Sequence, residues 1–231
     1  MLGKRVAAIV LAAALAACAE LTAETPLFTP DANSPPPLSE GVWIGIGEGC
    51  PEQNLRRRRF AEECAPLELR RQADGAWRAS MRADLVSGSN SHERAHPQTD
   101  SSNGPYRVVF APAVEREIGD GYAPLYLGEV GSFDEHKPSV GYAIVAPIGV
   151  MPATEMRLIA SIGCASILRD GPIEGVTPRY ETRTDADGAE HQDLTGCVAS
   201  SQAAVREAVR RALIENVDEL SARRFVRVRP N

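Results

Sequence analysis

The stretch with the clearest chemical potential is His92-Glu93-Arg94-Ala95-His96, which has the pattern H-E-x-x-H. On a helix this spacing places two imidazoles on one face, where they can hold Zn²⁺. The glutamate between them can then act as a general base on a metal-bound water. The sequence therefore offers one candidate metal site, with His92 and His96 as ligands and Glu93 as the base.

In these five residues the chain resembles the zincin metallopeptidases. The resemblance implies a hydrolase with a third ligand further along the chain, where Glu115 and Glu117 stand. The flanks depart from the family pattern, because Gly, Ser and Asn precede the motif and Pro97 follows it directly. Without an apolar flank, a polar loop does not hold two histidines at helical spacing. We therefore expect a solvated loop over Ser87–Pro105, with no metal and no other cofactor.

Nucleophilic catalysis has less support in the sequence. His136 follows Ser132, Asp134 and Glu135, but neighbouring residues point in different directions, and triads are assembled from distant segments. The sequence contains no G-x-S-x-G and no S-x-x-K motif. The glycines of Gly45–Gly49 lead into a cysteine rather than a helix, unlike a phosphate-binding loop. We therefore assign no catalytic residue, and a binding protein is favoured over an enzyme.

The N-terminus has the features of an export signal. Lys4 and Arg5 precede an apolar run that is too short to span a bilayer, and Leu15-Ala16-Ala17-Cys18 closes that run. This tetrapeptide resembles the lipobox of bacterial lipoproteins. The resemblance implies cleavage before Cys18, a diacylglycerol thioether on its sulfur and acylation of the freed amine.

An anchor of this kind predicts a location in the bacterial cell envelope. Two or more acyl chains hold a protein stably on a membrane, whereas one chain does so only marginally. Ala19 follows the cysteine, where an Asp would indicate retention at the inner membrane of enteric bacteria. We therefore expect a lipoprotein of the outer membrane that faces the periplasm, with the membrane as its first partner.

The number of cysteines agrees with lipidation. The chain has five cysteines, and a lipid on Cys18 leaves an even set that can pair in an oxidising compartment. We predict the sequence-local pairing, Cys50 with Cys64 and Cys164 with Cys197, because each pair lies within one supersecondary unit. A four-cysteine zinc site is disfavoured, since no two of these cysteines have the short spacing of zinc ligands.

Charge narrows the range of partners. The formal net charge is −6, which argues against nucleic acid. One basic run stands out, Arg56-Arg57-Arg58-Arg59, and Glu62 and Glu63 follow at helical spacing. This run is a candidate docking patch for anionic lipid or lipopolysaccharide. The alternative is a solvated surface bracketed by a disulfide.

We divide the chain into three parts. Residues 1–17 are a signal peptide that is removed, 18–40 are the lipid anchor with a proline-rich tether, and 41–231 form a single disulfide-containing, β-rich globular domain. The tether is predicted to be extended and weakly ordered, because Glu20–Glu40 holds five prolines and few large apolar residues.

Period-2 alternation predicts strands along most of the body. The clearest is Trp77–Leu85, joined to Pro66–Arg71 by an Asp74-Gly75 turn. A second hairpin is centred on Asp185–Gly188. A last strand over Phe225–Arg229 is predicted to lie at a sheet edge, because its arginines discourage further pairing.

One amphipathic helix is predicted, from about Gln202 to Asn216, with an apolar stripe at helical spacing. The predicted fold class is α+β: a mostly antiparallel β-sheet of about six to nine strands with one C-terminal amphipathic helix packed on it.

Three functions are compatible with these features. The favoured one is a lipid-anchored cell-envelope protein of unknown specific role that binds or scaffolds another envelope protein or anionic lipid without catalysis. One alternative is a zinc-dependent hydrolase that uses His92–His96. The other is a module that holds a lipid or small ligand between sheet and helix.

Overall fold

The architecture is that of a computed structural model. It describes residues 19–47, 49–56, 60–61, 64, 66–86, 105–118, 121–132, 140–159, 162–185, 187–215 and 223–228. The strands in these ranges are β1 (Glu20–Ala23), β2 (Gly41–Ile46), β3 (Leu67–Arg71), β4 (Trp77–Met81), β5 (Tyr106–Ile118), β6 (Gly121–Ser132), β7 (Val140–Ile148), β8 (Glu155–Ile159), β9 (Val176–Thr184), β10 (Glu190–Ala199) and β11 (Arg223–Val228). The helices are α1 (Cys164–Ile167) and α2 (Gln202–Glu215), with 3-10 turns at Glu52–Arg56 and Ala83–Leu85.

Eight of the strands form a closed antiparallel sheet. Their order is β6-β5-β4-β3-β2-β11-β8-β7, and β7 pairs back with β6. A branch leaves β7, in which β1 pairs antiparallel with β7 and parallel with β10, and β10 pairs with β9. The prediction of a mostly antiparallel β-sheet is confirmed. The described ranges hold more strands than predicted, and the closure of the sheet was not foreseen.

Both predicted hairpins are present. The β3–β4 turn contains Gly75 at φ +88°, and the β9–β10 turn contains Gly188 at φ +84°. Asp74 Oδ1 accepts a hydrogen bond from the backbone N–H of Ala76 at 3.0 Å, which fixes the first turn. Asp-Gly signals between alternating strands were therefore sufficient to place these two units.

The prediction that Phe225–Arg229 is an edge strand is wrong, because β11 lies between β2 and β8. Its arginines fit in a central strand because β2 has glycines beside them. A Cβ on Gly45 would come within 2.6 Å of Nε of Arg223, and a Cβ on Gly41 within 2.8 Å of Nε of Arg227. The two glycines thus make room for two arginine side chains inside the sheet.

Large side chains fill the interior of the closed sheet. Trp43 and Trp77 are at most 2% exposed, and Phe225 is 4% exposed. Alternation along each strand sends these residues inward, where they pack with Leu67, Leu69, Ala79, Val108, Val145 and Met156. The interior is therefore a packed core, and this packing fixes the positions of the strands around it.

Helix α2 packs on the outside of the closed sheet. The predicted apolar stripe is confirmed as buried, and it consists of Val205, Ala208, Val209, Ala212 and Leu213. Ser201 caps the helix, since its Oγ accepts a hydrogen bond from the N–H of Ala204 at 3.2 Å. A short second helix, α1, was not predicted. Among the described residues, no helix has the length and apolar character needed to cross a membrane.

The predicted disulfide pairing is confirmed. Cys50 bonds to Cys64 and Cys164 bonds to Cys197, and all four residues are at most 1% exposed. The first bridge closes a segment over the outer surface of β2 and β11, where it packs with Val42, Ile44, Phe60 and Val228. The second joins α1 to β10 beneath α2.

The Cys164–Cys197 bridge should contribute more stability than Cys50–Cys64, because it closes a loop of 33 residues rather than 14. On the loop-entropy model, replacing both members by alanine should cost about 3–4 kcal/mol for the longer loop and about 3 kcal/mol for the shorter. Urea unfolding of the two double variants measures both values. A loss of less than about 1 kcal/mol from the longer loop would contradict the expected contribution.

The prediction of a weakly ordered tether is wrong for residues 19–40, which are part of the folded domain. β1 lies within the sheet, and Leu21, Phe28 and Leu38 are 1%, 6% and 0% exposed. Composition gave the wrong prediction because three of the few large apolar residues in this proline-rich stretch, Leu21, Phe28 and Leu38, are buried in the core. The prolines between them shape an extended connection across one end of the closed sheet.

Candidate functional site

The N-terminal segment crosses the end of the closed sheet at which Trp77, Phe110 and Tyr126 lie, which we call the upper end. Leu38 enters the interior there. The backbone N–H of Ala153 donates to the carbonyl of Pro37 at 3.0 Å, which ties the segment to the loop after β7. The segment therefore covers part of the upper end and leaves a groove beside it.

Arg71 fixes the outer part of this segment. Its Nη2 donates to the carbonyl oxygens of Asp31, Ala32 and Ser34, at 3.2, 3.0 and 2.7 Å. Asp31 in turn accepts hydrogen bonds from the N–H of Asn33 and the hydroxyl of Ser34, and these bonds lower the pKa of its carboxyl. The carbonyls of a turn without regular secondary structure are thus satisfied by one guanidinium.

The upper groove has a volume of about 340 Å³. Its floor is aromatic, because Trp77 and Phe110 meet edge to face with ring centroids 5.9 Å apart and Tyr126 lies beside them. One wall is Pro35–Pro37 from the N-terminal segment. A groove of this size, with an aromatic floor and polar side chains along its walls, has the dimensions of a ligand-binding site.

Helix α2 supplies the opposite wall through Gln202 and Arg206. Gln202 Nε2 donates to the carbonyl of Leu27 at 2.6 Å, and Arg206 Nη1 donates to the carbonyl of Pro112 at 2.7 Å. The guanidinium of Arg206 also lies over the ring of Phe28, 5.5 Å from its centroid. Both walls are therefore held by hydrogen bonds to the backbone, so the groove is preformed.

An exposed apolar loop lies at the same end of the sheet. Ile148, the last residue of β7, is 37% exposed, and Val150 and Met151 in the loop that follows are 91% and 42% exposed. The hydroxyl of Tyr126 lies 3.5 Å from the sulfur of Met151, so the loop borders the groove. Apolar side chains exposed together beside a groove are typical of a surface that contacts a partner.

Glu129 lies behind the groove and is 3% exposed. Its Oε2 accepts hydrogen bonds from the N–H groups of Leu27 and Phe28, at 2.8 and 3.2 Å, and from the hydroxyl of Tyr142 at 3.3 Å. Burial raises the pKa of Glu129, and these hydrogen bonds oppose the shift. The carboxylate positions the N-terminal segment and therefore the groove wall.

The predicted site residues divide into two groups. Cys50, Cys64, Cys164 and Cys197 form the two disulfides. Cys18, His92, His96 and Arg57–Arg59 lie outside the described residues, as do Glu93 and His136; Arg56 is the last residue of a 3-10 turn. Within the described ranges, no three His, Cys, Asp or Glu side chains are grouped to hold a metal ion.

Sequence reasoning missed the groove. Trp77 begins the predicted strand Trp77–Leu85, but nothing local in the sequence indicated that Phe110 and Tyr126 would lie beside it. Comparison with protein-family models, with curated proteins and with solved structures finds no match for this chain. The geometry of the groove and the N-terminal sequence are therefore the features that bear on function.

Proposed function

We propose that this protein is a lipoprotein of the bacterial envelope, anchored through Cys18, that binds another envelope component at the upper groove without catalysis. The observation that carries the binding role is the preformed aromatic groove bordered by the exposed loop Ile148–Pro152. The lipobox and the paired cysteines support the location, which we propose to be the periplasmic side of the outer membrane.

The polar groups of the groove support binding rather than catalysis. Arg71 and Arg206 are engaged with backbone carbonyls, and Asp31 caps a turn. These three groups keep the walls in place, and the floor between them is aromatic. A surface of this kind recognises shape and apolar area, with a few polar groups for orientation.

An extended segment of a second envelope protein fits the groove best. The volume of about 340 Å³ accommodates a few apolar side chains. A lipid carried between sheet and helix is disfavoured. The interior of the closed sheet is packed, and Val205 and Val209 of α2 pack closely against the sheet. We therefore favour a protein partner over a transported ligand.

The N-terminal geometry restricts where the partner can be. The carbonyl of Ala19 accepts a hydrogen bond from the N–H of Cys164 at 2.6 Å. The residue after the proposed lipid is thus already fixed to the domain. Without a tether, the domain would lie directly at the membrane surface, and its partner must come within reach there.

Site-specific photo-crosslinking in cells that make the full lipidated protein tests the binding role. A photoreactive residue at Met151 should give one discrete adduct with an envelope protein, identified by mass spectrometry. The adduct should be lost in Val150→Asp, because a buried carboxylate opposes apolar contact. Val150 is 91% exposed, so this change should leave folding intact.

A photoreactive residue at Gln192, exposed on the β9–β10 hairpin, is the matched control. It should not give the adduct seen at Met151. The same adduct from both positions, or an adduct at Met151 that persists in Val150→Asp, would contradict binding at the groove.

A further inference from the structure

Three arginines lie directly opposite one another on the outer surface of the closed sheet. Arg70 of β3 is the register partner of Arg78 in β4, and Arg78 is the register partner of Arg107 in β5. Strands in a sheet are about 4.8 Å apart, so the row spans about 10 Å. The alternating residues of these strands fill the interior, which places all three guanidinium groups outside.

Like charges directly opposite on neighbouring strands are destabilising. The two outer arginines have counter-charges: Arg70 pairs with Glu68 at 2.7 Å and Arg107 with Asp74 at 3.1 Å. Arg78, in the middle, makes no hydrogen bond or ion pair with any residue that the structure describes. Arg78 is exposed, so all of its guanidinium donors are available to a ligand.

A concavity of about 300 Å³ lies at this point on the surface of β3 and β4. It is lined by Glu68, Arg70, Gln72, Arg78 and Ser80. Four of these five side chains can donate hydrogen bonds. The fifth, Glu68, is already engaged by Arg70 and, at 3.4 Å, by Arg82.

We propose that this concavity binds a phosphate group. Arg70 donates to Glu68 through Nε and Nη2, which leaves its Nη1 for a ligand. Together with the guanidinium of Arg78, the hydroxyl of Ser80 and the amide of Gln72, it supplies more donors than the two oxygens of a carboxylate can use, and a phosphate presents three or more oxygens. Arginine forks match phosphate geometry, and a dianion would neutralise the charge of Arg78. The site is separate from the upper groove and does not depend on the function proposed for it.

The position of the site bears on where the phosphate comes from. β1 joins the closed sheet at β7, and β3 is the fourth strand from β7 in either direction around the ring. The concavity therefore lies on the side of the sheet opposite to β1. If the anchor is at Cys18, the phosphate belongs to a soluble ester or to a second surface rather than to the anchoring membrane.

Thermal unfolding of the mature full-length protein in detergent tests the proposal. Inorganic phosphate should raise the unfolding midpoint above that in chloride at equal ionic strength, because a ligand that binds only the folded state stabilises it. In Arg78→Gln the affinity for phosphate should fall about tenfold or more, since a charge-assisted bond is lost. Arg179→Gln, which removes an exposed arginine paired with Glu24, should respond as the wild type does.

Two further measurements complete the test. Without phosphate, Arg78→Gln should be at least as stable as the wild type, because a like-charge contact is relieved. The same unfolding measurement with phosphatidic acid added to the detergent, against an equal amount of phosphatidylcholine, identifies a lipid headgroup as the source if only the phosphatidic acid arm depends on Arg78. Equal responses of wild type and Arg78→Gln in both arms, or no response in either, would overturn the proposal.

Discussion

Replacing Leu38 with alanine should lower the free energy of unfolding by about 2–5 kcal/mol. Leu38 is fully buried in the interior of the closed sheet, where it packs with Trp43 and Met156. The variant leaves a cavity at the upper end, and the walls around it are held by hydrogen bonds that limit collapse. In a weakly ordered tether the same substitution would have no effect on stability.

Urea unfolding of the mature protein measures this loss, with Thr25→Ala as the matched control. Thr25 lies in the same segment and is exposed, so its substitution should change stability by less than about 0.5 kcal/mol. If Leu38→Ala cost as little as Thr25→Ala, the placement of residues 19–40 in the core would be contradicted.

The second large effect is expected at Glu129. Glu129→Ala leaves the N–H groups of Leu27 and Phe28 and the hydroxyl of Tyr142 without their acceptor. Each buried donor that loses its partner costs about 1–3 kcal/mol, so the loss of the acceptor for all three should cost about 3 kcal/mol or more. Tyr142→Phe, which removes only one of these bonds, should cost about 1 kcal/mol. Equal losses in the two variants would contradict this role of Glu129.

The pH dependence of stability gives an independent test of the same residue. Burial raises the pKa of Glu129 above its ordinary value of 4.5. The folded state therefore binds this proton more tightly than the unfolded state does. The stabilisation is present below about pH 4.5 and is lost as the pH rises through the folded-state pKa.

Glu129→Gln should remove that part of the pH dependence, because glutamine keeps an acceptor but does not titrate. The free energy of unfolding of both proteins is measured from acid to neutral pH. Relative to Glu129→Gln, the wild type should lose stability as the pH rises through this interval. Parallel curves would show that Glu129 has the same pKa in the folded and unfolded states.

The parts of the fold that sequence could predict are those with local signals. The Asp74-Gly75 and Asp185–Gly188 turns lie between alternating strands, and the stripe of α2 repeats at helical spacing. The disulfides also follow from short separation along the chain. In each case the interacting residues are near one another in sequence, so their pattern is visible without the rest of the fold.

The closure of the sheet depends on contacts between distant segments. β11 inserts between β2 and β8, and the glycines that admit Arg223 and Arg227 are in β2, far away in sequence. The composition of the proline-rich segment likewise gave no indication that Leu38 would enter the interior. The upper groove joins this segment to β5, β6 and α2, so it could not be predicted before the closure was known.

Two surfaces and the proposed anchor lie at different places around the domain. The upper groove lies at one end of the closed sheet, and the arginine row lies on the side opposite to β1. The proposed anchor precedes β1 directly, with no tether between them. In a domain anchored in this way, the arginine row would face away from the membrane. The upper groove would lie between the membrane surface and the arginine row.

The most direct test of the proposed lipoprotein is mass spectrometry of the mature N-terminal peptide, isolated from the membrane fraction of producing cells. We expect a peptide that begins at Cys18 and carries the mass of a diacylglyceryl group with a further acyl chain. Cys18→Ser should abolish both the modification and the membrane association. A mature N-terminus at another residue, or a Cys18 without lipid, would contradict lipidation at Cys18.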